Sequence, residues 1–499
     1  MIDDQATMPI VSTLRSVQRQ GGISFGAPGH HQGRAAPPAV RTLLADAFKA
    51  DILTPKGLDE RTEPKQVLQR AHALAAEAWG ADLCRFATGG TTQSLHTALA
   101  AVAHPGDTVL LAQNAHKAEF AGALFMGLDV GVIPVTIDRD WDLEHGVDPA
   151  ALTAAFASHP DAKAVVVVSP SYHGVTSDIA ALASVAHACG VPLIVDAAWG
   201  GAFAFSSRLP QDALAAGADI MVTSVHKTMG ALGQGSAMFV KGLLVDPVRF
   251  ALAYELFETT SPSVPILASL DAARSAHATN GEKMWGDVLD MAAHARAELA
   301  AIPGVRVFGR EHLDGAGAHD LNPSAVTLDI AALHIAGYAA DDWLQAEYNV
   351  TVGLSDARHL AAIISPGNTS SEIARLVRGV RGLARAKKRH PERLLAAPAL
   401  PHIDTLTYDP AMRASEAFAA PAELVAWEAA AGRIAAEIVA PAPPGVPRLI
   451  PGQRITQAHV EWLVANRDAA CSSSIQRTRA NVASGSSIKP SLRGERVAW

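Results

Sequence analysis

The stretch Ala218-Asp219-Ile220-Met221-Val222-Thr223-Ser224-Val225-His226-Lys227-Thr228 decides the reading of this chain. An apolar run of strand length ends in a hydroxyl, an imidazole and an amine set close together. Alone, such an ending reads first as a solvated loop, so its companions carry the argument. Upstream, Val191-Pro192-Leu193-Ile194-Val195-Asp196 is a second buried strand pattern, this one ending in a carboxylate and followed by the small Ala197 and Ala198 and then Trp199. Burying a carboxylate is costly unless a cation meets it.

Further upstream, Phe86-Ala87-Thr88-Gly89-Gly90-Thr91-Thr92-Gln93-Ser94 precedes a helical run from Leu95 to Ala103. Backbone amides and hydroxyls at a positive helix end suit a single phosphate, and by itself the segment is equally a capped helix start. The Gly-Lys-Ser/Thr of a triphosphate-binding loop is missing, and Gly230-Ala231-Leu232-Gly233-Gln234-Gly235 has the wrong glycine order for a dinucleotide fingerprint. Leu110-Leu111-Ala112-Gln113-Asn114-Ala115-His116-Lys117 is another strand ending in an imidazole, which could lie flat on a ring. An amine, a buried carboxylate, a phosphate cradle and a flat imidazole together describe a pyridoxal 5'-phosphate site. Lys227 would carry the aldehyde, and Asp196 would pair with the protonated ring nitrogen that makes the ring an electron sink.

The short β-branched runs Thr108–Leu111, Val132–Val135, Ala164–Val168, Leu193–Val195 and Ile220–Thr223 alternate with helical ones. One helical run, Pro64 to Trp79, sets Val67, Leu68, Ala71, Leu74 and Ala75 on one face, with proline in its first turn and Gly80 beyond its end. Alternation of this kind predicts an α/β fold with a mainly parallel sheet covered on both faces. Ligands in such sheets sit at the carboxyl ends of the strands, where Asp196, His116 and Lys227 fall.

The series of motifs resembles the bacterial ornithine/lysine/arginine decarboxylases, pyridoxal-phosphate enzymes of fold type I (aspartate-aminotransferase-like), in their short form without an N-terminal wing domain. The resemblance runs from Ile23-Ser24-Phe25-Gly26-Ala27-Pro28-Gly29-His30 through Leu58-Asp59-Glu60, Gly90-Thr91-Thr92 and Asn114-Ala115-His116-Lys117. It continues through Ser169-Pro170-Ser171-Tyr172-His173-Gly174, Asp196-Ala197-Ala198-Trp199, Ser224-Val225-His226-Lys227, Thr259-Thr260-Ser261-Pro262-Ser263 and Ala268-Ser269-Leu270-Asp271. It ends at Pro443-Pro444-Gly445-Val446-Pro447 and Ile450-Pro451-Gly452-Gln453-Arg454-Ile455-Thr456. It implies that Lys227 forms the internal aldimine, Asp196 meets the pyridine nitrogen, His116 stacks on one ring face and Ala198 packs on the other. Gly90, Thr91, Thr92, Ser224 and His226 would hold the phosphate, and Lys227, His226 or a group on the C-terminal part would return the proton after CO2 leaves. The implied reaction is decarboxylation of a basic amino acid in a homodimer or larger homo-oligomer, with the Thr259–Ser263 segment reaching the neighbour's phosphate.

Departures from the family pattern touch the substrate more than the chemistry. Ala325 stands where relatives usually show lysine, Gly353 and Gln453 where they often carry glutamate, Ala442 for a tyrosine and His31 for a lysine. A guanidinium or ammonium leaving water needs an anionic or strongly accepting partner. Either those glutamates are structural, or Asp356, Glu347 or Asp314 takes over, or the enzyme takes another amino acid. Transamination or elimination on the same fold, and a non-catalytic cofactor-binding relative, are the other readings.

Composition fits a catalytic globular protein. With 499 residues, 49% of them hydrophobic, the chain can bury a large core in several domains. The division expected is residues 1–310 for the cofactor-binding part, 311–390 for a small α/β domain, and 391–471 for a C-terminal domain that includes an amphipathic helix around Glu423–Ala436. A disordered tail over 472–499 would follow. A net charge of -8 gives no basic surface for nucleic acid. The cysteines Cys84, Cys189 and Cys471 are too few and too scattered for a disulfide framework or a thiolate metal site. With no secretory head and no apolar stretch approaching the ~20 residues of a membrane span, a cytoplasmic home is expected.

Overall fold

The computed structural model describes residues 4–21, 25–52, 66–389, 400–442 and 444–471. Leu58-Asp59-Glu60, Pro64 and the tail 472–499 lie outside the described residues.

The strands are Leu83–Ala87 (β1), Thr108–Ala112 (β2), Asp129–Ile133 (β3), Ala164–Val168 (β4), Leu193–Asp196 (β5), Ile220–Thr223 (β6) and Ser236–Val240 (β7). They form one seven-stranded sheet in the order β1-β7-β6-β5-β4-β2-β3. The neighbours β6-β5-β4-β2-β3 pair in parallel, and β7 alone runs against both β6 and β1. Parallel strands are covered on both faces, hence their largely apolar runs: every residue of β5 and β6 is buried, and antiparallel β7 beside them is buried throughout as well. The predicted run Val132–Val135 divides at Pro134, with β3 ending at Ile133 and a separate hairpin strand starting at Val135.

Helices cover the sheet: Pro9–Gln20 (α1), Val67–Trp79 (α2), Gly90–Val102 (α3), Lys117–Phe125 (α4), Pro247–Phe257 (α5) and Val264–Ala300 (α6). α2 buries Val67, Ala71, Leu74 and Ala75 and ends on Gly80, whose φ of 67° closes the helix in the left-handed region. The 37-residue α6 is about 55 Å long. It anchors the N-terminal segment through a wholly buried ion pair, Arg274 with Asp271 at 2.7 Å. Arg274 also donates to the carbonyls of Gln5 and Thr7, and Asp271 accepts the Ile10 N–H.

A second sheet, entirely antiparallel, comprises Arg306–Val307, Ala325–Asp329, His359–Ile363 and Leu354–Ser355 in that spatial order. Gly337–Tyr348 (α7) and Ser370–Arg389 (α8) pack beside it, and Gln457–Cys471 (α9) closes the described chain.

The amphipathic helix expected around Glu423–Ala436 does not form. One short turn, Trp427–Ala429, stands there, and Gly432 takes φ 83°. The Gly432 and Ala435 N–H groups donate to Ile455 and Gln453, and Arg433 accepts from Ile455. Isolated antiparallel bridges from Ile434 to Arg454 and from Val439 to Leu449 claim the hydrogen bonds that a helix would have kept within itself, so tertiary pairing overrides alanine's helix preference.

Candidate active site

Three strands deliver polar groups to one rim. After β2, His116 is the N-cap of α4, its Nδ1 accepting the Ala118 N–H at 3.2 Å. Asp196, the last residue of β5, is 4% exposed, and its Oδ1 accepts the Ala198 N–H at 2.9 Å. Lys227 lies in the single turn Val225–Thr228 after β6, with Nζ 4.4 Å from the centre of the Trp199 ring. Trp199 is itself held edge-on by Tyr172, ring centres 5.0 Å apart. His116, Asp196, Ala198, Lys227 and Thr91 line one cavity together with Asn114, Tyr172 and His173.

Gly90, Thr92, Ser224 and His226 do not line that cavity but cluster beside it. α3 begins at Gly90, so Thr91 and Thr92 lie in its first turn rather than before it. The Thr91 and Ser224 hydroxyls are 3.1 Å apart, and Thr92 is exposed. The turn Gln234–Gly235 ties the cluster: Gln234 O accepts the Gly90 N–H, and the His226 Nδ1 pairs with Gly235 O at 2.9 Å. Gly90 needs its freedom here, at φ 74°.

Burial sets the electrostatics. It lowers the Lys227 ammonium, against the opposing pull of Asp196 and Glu119. It lowers His116, which Asp196 partly restores and Lys227 lowers further. His226 is lowered by burial too, with the Gly235 carbonyl opposing. Tyr172 is pushed up to about 12 and His173 down to about 3, both chiefly by burial. Burial therefore disfavours the charged forms of the imidazoles and the amine beside this buried carboxylate.

The C-terminal domain was expected to close over the cofactor, but sequence reasoning did not name the contacts by which it walls the cavity. Arg448 makes a two-pronged bond to Glu144 at 2.7 and 3.0 Å, and Tyr338 donates to Asn466 of α9 at 3.4 Å. Gly445 accepts the Lys117 N–H at 2.8 Å and presses on the imidazole of His116: a Cβ at Gly445 would stand 2.8 Å from its Nε2. Only the Pro-Pro-Gly motif signalled this contact. Glu119 was missed as well, though a lone carboxylate in the apolar run of α4 was its signal.

The carboxylates lining the cavity besides Asp196 are Asp142, Glu144 and Asp356. Each has a cationic or imidazole partner, namely His402 at 3.1 Å, Arg448 and His359 at 2.9 Å. Asp356 is the one member of the expected substitutes Asp356, Glu347 and Asp314 that reaches the cavity. Of the departing positions, Gly353 borders it through its carbonyl, which accepts the Tyr172 hydroxyl. Gln453 instead sits in the C-terminal segment, bonded to Thr407, Ile450 and His459.

Comparison with known proteins agrees with this architecture. Residues 8–341 match the family model "Orn/Lys/Arg decarboxylase, major domain", and residues 397–471 match "Orn/Lys/Arg decarboxylase, C-terminal domain". The chain is 35% identical to an arginine decarboxylase of Halalkalibacterium halodurans, over 93% of this chain and 94% of that one. It is 33% identical to an arginine decarboxylase of Bacillus subtilis, with the same coverage. The fold matches the constitutive lysine decarboxylase of E. coli with a TM-score of 0.75 at 20% identity, over 93% of this chain and 78% of that one. Among the described residues no helix is long and apolar enough to cross a membrane.

Proposed function

Because the chain belongs to the Orn/Lys/Arg decarboxylase family, whose members depend on pyridoxal phosphate, we propose that it removes the α-carboxylate of a basic amino acid, arginine foremost. The donor set fits the cofactor. A lysine amine and a buried carboxylate line one cavity, an imidazole stands at its side, small Ala198 leaves room, and hydroxyls sit at the start of a 13-residue helix. Lys227 would hold the cofactor's aldehyde carbon, Asp196 its ring nitrogen, His116 and Ala198 its two faces, and Gly90, Thr91, Thr92, Ser224 and His226 its phosphate.

Bound pyridoxal phosphate supplies an electron sink for the pair released as CO2 departs. The remaining work belongs to side chains. Burial makes the Lys227 amine a weaker base than a free lysine, which suits it to exchange with the substrate amine and to return a proton to the α-carbon. Asp196 would face the ring nitrogen, where a carboxylate favours a bound proton on the ring. Gly445 and the Ala118 N–H fix the His116 ring as a flat, neutral wall. The Arg448–Glu144 ion pair ties the C-terminal segment to the edge of the cavity that both residues line.

The observation that carries the reading is the joint lining of one cavity by Lys227, Asp196 and His116. The test is a mass-spectrometric product scan of the cofactor-loaded protein with each common amino acid and ornithine. An amine from arginine, lysine or ornithine, abolished by Lys227→Ala, is expected. A keto acid, or turnover that survives Lys227→Ala, would overturn it.

A second reading, the same chemistry on an uncharged amino acid, is favoured by one observation. Asp142, Glu144 and Asp356 are all engaged within the chain, so a guanidinium entering the cavity finds no free carboxylate among the described residues. The basic-substrate reading therefore calls for an acceptor from a second subunit. We read a cytoplasmic homodimer, supported by the exposed apolar ridge Val248, Leu252 and Leu256 on α5 with Leu243 before it.

A further inference from the structure

Glu119 is fully buried in the first turn of α4, and neither of its carboxyl oxygens finds a hydrogen-bond donor of good geometry. Its neighbour is the Asp196 carboxyl, within hydrogen-bonding reach. Two carboxylates are both acceptors, so the contact is a bond only when one carries a proton. The other groups facing Glu119 are the Lys227 ammonium and the backbone N–H groups of His116 and Glu119 itself. Asp196 already accepts the Ala198 N–H. Burial, then the charge of Asp196, hold Glu119 well above the ordinary carboxylate range.

A simpler role exists. With His116 at the N-cap, Glu119 occupies the third helical position, where a glutamate reaches back to the cap. A capping glutamate is ionised and favoured by the helix dipole. Complete burial beside a second carboxylate opposes that ionised state.

We propose that Glu119 retains its proton and donates it to Asp196, a positioning residue that keeps Asp196 ionised toward the cofactor ring nitrogen. The pair then shares one negative charge and one proton. Asp196 bears the charge, and Glu119 fixes its orientation from behind and prevents it from taking the ring proton. This deepens the reading of the site as a pyridoxal-phosphate centre and rests on it.

The test uses the full chain, with and without cofactor. Isotope-edited infrared difference spectra with labelled glutamate should show a protonated carboxylic acid at neutral pH in the wild type, absent in Glu119→Gln. The amide of Glu119→Gln still donates to Asp196, so cofactor affinity and the absorption maximum of the bound cofactor should stay near wild type. Glu119→Leu removes the donor, so affinity should fall about 10- to 100-fold and the absorption and its pH response should shift. An ionised Glu119 in the wild type would overturn the proposal whether or not the variants fold. So would a Glu119→Leu protein that is merely less stable, with unchanged absorption and affinity, because that is the capping role alone. A wild type that binds no pyridoxal phosphate would sink the functional reading instead, while the infrared band still reports on the Glu119 proton.

Discussion

Gly445→Ala tests whether the C-terminal segment builds the cofactor wall. Gly445 has φ 87°, a left-handed conformation costing a residue with a Cβ about 1–2 kcal/mol. The added methyl would stand 2.8 Å from Nε2 and 2.9 Å from Cδ2 of His116, and crowding of that kind costs about 1–3 kcal/mol. The two sum to about 2–5 kcal/mol, placed on the imidazole and on the Gly445–Lys117 hydrogen bond. Gly432→Ala is the control: φ is 83°, but nothing lies within 4 Å of its Cβ position, so only the backbone cost applies. Urea denaturation and cofactor titration of both variants give the comparison. Gly445→Ala should lose more stability than Gly432→Ala and also bind pyridoxal phosphate more weakly, tenfold for each 1.4 kcal/mol relieved by displacing His116. Equal losses in the two variants, with cofactor affinity untouched in both, would refute the idea that Gly445 positions His116.

Lys227→Ala should bind the cofactor without the absorption band of a lysine-linked aldehyde and give no amine product, as read by spectrophotometry and product analysis. Asp271→Ala strands the wholly buried Arg274 and frees the N-terminal segment, so stability should fall by about 3–5 kcal/mol in urea denaturation. In the Asp356–His359 pair, burial opposes both charges but is outweighed: the Asp356 carboxylate holds His359 above its ordinary range, and the His359 imidazolium holds Asp356 below its own. The His359 contribution is present below about pH 6.5 and lost as pH rises through its raised folded value, and the Asp356 contribution is present above about pH 3.9 and lost as pH falls through its lowered one. Asp356→Asn should therefore cost most near pH 5, about 1–2 kcal/mol since 36% of that side chain still faces the cavity, and denaturation across pH should show the difference shrinking in alkali. Leu252→Asp combined with Leu256→Asp should convert a dimer to a monomer by light scattering.

The parallel strands were legible because burial on both faces writes them as apolar runs. Asp196 was legible because a carboxylate ending such a run is costly without a partner. Lys227 and His116 gained meaning from their order along the chain, which the sheet converts into proximity. The region after Gly432 was not legible. Its alanines favour helix locally, and only bridges to residues 449–455 override that preference. The contacts that build the C-terminal wall were hidden for the same reason: Arg448 meets Glu144, and Gly445 meets His116, across more than 300 positions of sequence. The location of Gln453 was equally invisible, since a sequence does not say which way a buried amide faces.

The contact of Gly445 with His116 also bears on the order in which the protein is made. A ribosome completes Asp196 and Lys227 long before Gly445 and Arg448 emerge, so the seven-stranded sheet can assemble while one wall of the cavity is still unsynthesised. A nascent or prematurely terminated chain would hold the amine and the carboxylate in place yet leave His116 without its backstop and Glu144 without its cation. A segment translated after the whole sheet thus supplies one wall of the cavity, which stays open until Gly445 and Arg448 have been added.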